Sequence, residues 1–95
     1  MSTAANKKLL FVIQAHSDAD HIEQCLDTAL VAAIFEQQTS LLLLGDDSLR
    51  HQIKATAPLQ TKYNNLQELG TTTLHFDNAH LARTAIESAD VVFTF

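Results

Sequence analysis

Leu9-Leu10-Phe11-Val12-Ile13 is the first hydrophobic run of the chain, five apolar residues with no polar position between them. A run that short and unbroken predicts a strand covered on both faces, because an exposed face would carry polar residues at every second position. Residues 1–8, polar and small, read as a frayed lead-in. The polar break Gln14-Ala15-His16-Ser17-Asp18 has helix-start chemistry: Ser17 and Asp18 can accept from the unpaired N–H groups of a first turn, and Asp20 and Glu23 favour its positive end. From about Ala19 to Gln37 the period is helical, with Ile22, Cys25, Leu26, Ala29 and Ala33 on one stripe and no Gly or Pro inside. Leu30, Val31 and Ile34 widen that stripe and predict a helix covered on more than one side.

Leu41-Leu42-Leu43-Leu44, ended by Gly45-Asp46-Asp47, reads as a second buried strand. Ser48 can cap a short helix over residues 49–56, closed by Pro58. Leu59, Tyr63, Leu66 and Leu69 mark another helix, stopped by Gly70 just past its end. The β-branched and aromatic stretch of residues 71–76 predicts a third strand. Asp77 or Asn78 would cap a helix with Leu81, Ala82, Ala85, Ile86 and Ala89 on one face, and Asp90-Val91-Val92-Phe93-Thr94-Phe95 supplies a last strand. Strands near 8–14, 40–45, 71–76 and 90–95 alternating with helices imply right-handed βαβ units. The expected fold is α/β: a three-layer α/β/α domain with a small, largely parallel open sheet, formed by residues 1–95 as one domain.

Composition narrows the function classes. With six Lys and Arg against eleven Asp and Glu the net charge is -5, unsuited to direct nucleic-acid binding through clustered cations. The first apolar run is too short for a signal core or a membrane span, so the expectation is a cytoplasmic protein without membrane contact. One cysteine, Cys25, excludes an internal disulfide and a multi-thiolate metal site. Four strands leave two open edges and an apolar last strand, which points to an oligomer.

Ligands of open parallel sheets bind beyond the carboxyl ends of the strands. There the sequence places His16, Ser17 and Asp18, then Asp46 and Asp47 after Gly45, then Asp77 and Asn78. Together they form a candidate acidic strand-end pocket. Its carboxylates could hold Mg²⁺ through oxygen ligands, although helix capping alone accounts for the same residue types. His16 and His21 flank Asp18 and Asp20 but lack the i, i+4 spacing that grips one metal, and they read as solvated. His51, His75 and His80 show no ligand spacing. Cys25 sits on the apolar stripe with Glu23 and Asp27 nearby, surroundings of an inert core thiol and not of a thiolate. No phosphate-binding loop or nucleophile elbow is present. The residues therefore identify no catalytic group, metal site or cofactor.

The order of these elements resembles the DsrE/DsrF/DsrH family of small sulfur-relay proteins, which includes the TusB, TusC and TusD subunits. The likeness runs from about residue 8 to 95. It lies in Lys7-Lys8-Leu9-Leu10-Phe11-Val12-Ile13, in Cys25-Leu26-Asp27-Thr28-Ala29-Leu30, and in the Leu41 to Asp46 strand and turn. It continues in Tyr63-Asn64-Asn65-Leu66-Gln67-Glu68-Leu69-Gly70 and in Ala89-Asp90-Val91-Val92-Phe93-Thr94-Phe95. The Leu-Asp-x-Ala-Leu helix and the Asp-Val-Val-x-x-Phe ending are most similar to the DsrF/TusC branch.

The resemblance implies cytoplasmic subunits that form homo- or hetero-oligomers with DsrE/DsrH-like (TusD/TusB-like) partners. They would serve tRNA 2-thiouridine formation or sulfur oxidation. It also implies that a persulfide carrier cysteine, where present, follows the third strand; here that region has Asp77, and Cys25 does not match the carrier position. The chain is shorter than typical members between the third strand and the last helix. The expectation is a non-catalytic DsrF/TusC-like subunit or stand-alone relative, acting through protein–protein assembly. The alternative is a Mg²⁺-binding receiver-like or small-ligand-binding α/β module using the strand-end Asp cluster, although a Lys ending a late strand, which receivers need, is missing. A sulfur carrier using Cys25 is a third class, and it would require an exposed, acidic thiol.

Overall fold

A computed structural model describes residues 7–35 and 38–95. Eight elements follow in order: β1 (Lys8–Ile13), α1 (Ala19–Ile34), β2 (Gln38–Leu44), α2 (Ser48–Ala55), α3 (Ala57–Glu68), β3 (Thr72–Phe76), α4 (Arg83–Ser88) and β4 (Val91–Thr94). The strands form one sheet in the order β3-β2-β1-β4, parallel throughout. From β1 the chain steps to β2 and β3 on one side, then returns past β1 to place β4 on the other. Because parallel crossovers keep one hand, this reversal puts α4 on the opposite sheet face from α1, α2 and α3. The result is the expected three-layer α/β/α arrangement.

Side chains alternate between two cores, as the strand period requires. Phe11, Ile13, Leu41 and Leu43 point toward α1–α3 and meet Ile22, Cys25, Leu26, Ala29, Leu49, Ile53, Leu59 and Leu66. Leu10, Val12 and Leu42 point the other way and are covered by Ala82 and, less completely, by Ile86 and Ala89. Both central strands are thus apolar on both faces, which is why their sequences do not alternate. The second layer is thin, for α4 has six residues and none of them is buried.

Several boundaries differ from the sequence expectation for physical reasons. Lys8 belongs to β1, and its backbone N–H donates to Asp90 Oδ2 at 2.8 Å, which ties it to the start of β4. Strand β2 begins at Gln38, three residues before the leucine run, because its ladder with β1 starts at the Lys8–Gln38 pair. Ser48 is the first residue of α2 and not its cap; Asp46 Oδ1 instead accepts from the Ser48 backbone N–H at 2.9 Å. Pro58 does not close α2 but lies in the first turn of α3, where a missing N–H leaves no hydrogen bond unmade. Asn78 caps a turn, accepting from the Leu81 N–H, so α4 starts later, at Arg83, and Leu81 is exposed. Val31 and Ile34 are exposed, so α1 is covered along one stripe only. The last two residues of the anticipated long helix, Glu36 and Gln37, lie outside the described residues, as do residues 1–6 of the lead-in.

Candidate functional site

The strand order reverses at β1, so the crevice beyond the carboxyl ends of β1 and β4 is the switch point at which such sheets bind ligands. It holds a cavity of about 280 Å³ lined by Gln14, His16, Ser17, Asp18, His21 and Phe95. Phe95 is fixed there by backbone pairing: its N–H donates to Val12 O, and its carbonyl accepts from the Gln14 N–H. The Ser17 hydroxyl also donates to Phe95 O, at 2.7 Å, across 78 residues of sequence.

Asp18 occupies the N-cap of α1, its Oδ1 accepting from the His21 backbone N–H at 2.9 Å. The same oxygen lies 2.7 Å from His21 Nδ1. The backbone N–H and then the ring of His21 hold the Asp18 carboxyl below the usual carboxylate range. A carboxylate can only accept, so the ring nitrogen that faces it, Nδ1, carries a proton and donates. Ser17 is turned to Phe95 O and makes no bond to His21, so the three side chains do not form a nucleophilic triad. The arrangement can bind and orient a hydrogen-bonding ligand. Of the candidate strand-end residues, His16, Ser17 and Asp18 line this cavity, together with Gln14, His21 and Phe95, which that candidate set does not include. The i, i+3 spacing of Asp18 and His21 across a helix start was the available signal for His21; nothing local signals Phe95.

Asp46, Asp47, Asp77 and Asn78 are not part of this crevice. The β1 and β2 ends meet at a close approach between Ala15 and Gly45, where a Cβ added to Gly45 would lie 2.5 Å from Ala15 Cβ. Past that contact, His75 of β3 organises a second cluster. Its Nε2 lies 2.7 Å from Gly45 O and 3.2 Å from Asp46 O, so this nitrogen carries the proton and donates, while Nδ1 is 3.8 Å from Asp47 Oδ1. The side chain and N–H of Ser48 keep the Asp46 carboxyl below its ordinary range. Asn78 serves its own turn and Asp77 is exposed. Hence the single acidic crevice expected across three strand ends is two separate groups. Among the described residues no group of three or more His, Cys, Asp or Glu side chains could hold a metal ion.

Cys25 lies fully buried among the core side chains of α1. Burial pushes its thiol up to about 12, so at neutral pH it holds its proton and is closed to solvent. Among the described residues no helix is long and apolar enough to cross a membrane. Against known proteins, the chain matches no family model, no curated protein and no solved structure.

Proposed function

We propose that this chain is a non-catalytic subunit of the DsrF/TusC type, or a stand-alone relative, that acts in a cytoplasmic sulfur relay by assembling with like-folded partners. The observation that carries the reading is the state of the lone thiol. A sulfur carrier needs an exposed thiolate, whereas Cys25 is buried and protonated, and an aspartate, Asp77, follows β3. Two features suit assembly. The edge strand β4 leaves Val92 and Phe93 each 38% exposed, and the α4 layer covers its sheet face incompletely.

Incubation of the native protein with a cysteine desulfurase and cysteine, followed by intact mass measurement, tests the carrier question. No added sulfur atom is expected, and a persulfide on Cys25 would sink the proposal. Light scattering over a range of concentrations tests assembly: a complex with itself or with like-folded subunits is expected, and a strict monomer that ignores such subunits counts against it.

A second reading, a small-ligand-binding module, is favoured by the His21–Asp18 pair facing the switch-point cavity. The separation of the Asp residues removes the argument for Mg²⁺ in that reading, and no melting shift with millimolar Mg²⁺ is expected.

A further inference from the structure

A concavity of about 520 Å³ lies away from the strand ends, between the edge strand β3 and the helix pair α2–α3. One wall is Arg50 and Lys54 from α2, an i, i+4 pair presented to the same space. The opposite wall is α3, contributing the amides of Gln60, Asn64 and Gln67 and the ring of Tyr63. Leu43 and Ile53 give it an apolar base.

The charge distribution is unlike that of the rest of the molecule. No Asp or Glu lines the cleft, although acids outnumber basic residues by eleven to six in the chain. Elsewhere Lys62 bridges Glu23 and Asp27, and Arg83 pairs with Glu87. Arg50 and Lys54 have no ion pair among the described residues. At the base, Thr73 Oγ1 is the one buried side-chain oxygen or nitrogen among the described residues without a hydrogen-bond partner.

We propose that this cleft binds a small organic phosphate of nucleoside-monophosphate size. Two unneutralised cations, one of them an arginine able to donate two parallel hydrogen bonds, suit a phosphate group. Three amides suit the donor and acceptor edges of a heterocycle, and Tyr63 offers an aromatic surface for its ring. The volume falls within the usual range for a small-molecule site, roughly 300–1,000 Å³. This site is separate from the switch-point cavity and does not depend on the assembly reading.

Titration calorimetry of the full chain with AMP, adenosine and inorganic phosphate tests the site, using wild type and the Arg50→Gln/Lys54→Gln variant. Both replaced residues are exposed, and circular dichroism checks that the variant is folded. Saturable AMP binding is expected, with adenosine and inorganic phosphate each weaker by about tenfold or more, and AMP binding by the variant reduced by at least about tenfold. Absence of AMP binding at millimolar concentration overturns the proposal. So does equal affinity of wild type and variant, or inorganic phosphate or adenosine binding as tightly as AMP.

Discussion

Cys25 and Asp18 are both titratable, and the fold moves them in opposite directions with opposite consequences for stability. The unfolded chain releases the Cys25 proton near the ordinary thiol value of 9.0, the folded chain only at about 12. The stability linked to this group is therefore intact below pH 9 and is lost as pH rises from there toward 12, because the unfolded state ionises first. A Cys25→Ala variant should be less stable at neutral pH by about 1–3 kcal/mol. Its urea midpoint should nevertheless fall less steeply than that of wild type above pH 9. Asp18 behaves in the reverse sense. Its folded-state pKa is lowered, so its contribution is present above the ordinary carboxyl value of 3.8 and disappears as pH falls through the lower folded one. Asp18→Asn retains an acceptor for the α1 cap but cannot titrate, and its melting temperature should vary less with pH below 3.8 than that of wild type. The inert character of Cys25 was legible in the sequence, because it falls on the apolar stripe between Ile22 and Ala29. The pairing of Asp18 with His21 was not read there, since it depends on the ring turning back over the first turn.

At the scale of elements, two glycines end two different structures and tolerate a side chain differently. Gly70 follows α3 with φ +91 and faces open space, so Gly70→Ala meets only the backbone penalty, about 1 kcal/mol. Gly45 follows β2 with φ +114, and its added methyl would also press on Ala15 at 2.5 Å. Gly45→Ala should cost about 2 kcal/mol or more and should also disturb His75, which is bonded to Gly45 O. Urea denaturation orders the two variants; a Gly45→Ala protein as stable as Gly70→Ala would refute the close approach. Turn chemistry revealed both glycines in sequence, but only the neighbouring loop distinguishes them. The same limit explains the helix starts. Ser, Asp, Asn and Pro announced where helices begin, yet which oxygen takes which N–H was fixed by loop geometry, so Asp46 and not Ser48 serves the start of α2.

For the whole molecule, the unequal covering of the two sheet faces sets where stability resides. Leu26, on the inner face of α1, is fully buried, and Leu26→Ala should cost about 2–5 kcal/mol. Ile86, half-buried on the α4 face, should cost less than half as much when shortened to Ala, measured by the same denaturant titration. If the thin face is covered in an assembly, the Ile86→Ala penalty should grow with protein concentration, because oligomerisation then contributes to stability.

The sequence by itself determined the elements, which positions on each strand and helix are apolar, and the seclusion of the single thiol. Those properties follow from short unbroken apolar runs, from a helical period of about three and a half residues, and from capping and turn chemistry. Tertiary structure alone decided which strand ends became neighbours. The return of the chain past β1 brings Phe95 to Ser17, while the Ala15–Gly45 contact separates Asp18 from Asp46. It also set Arg50 and Lys54 across from the amides of α3. Such meetings depend on the direction of each crossover and on the packing of distant segments, and no local pattern of side chains encodes them.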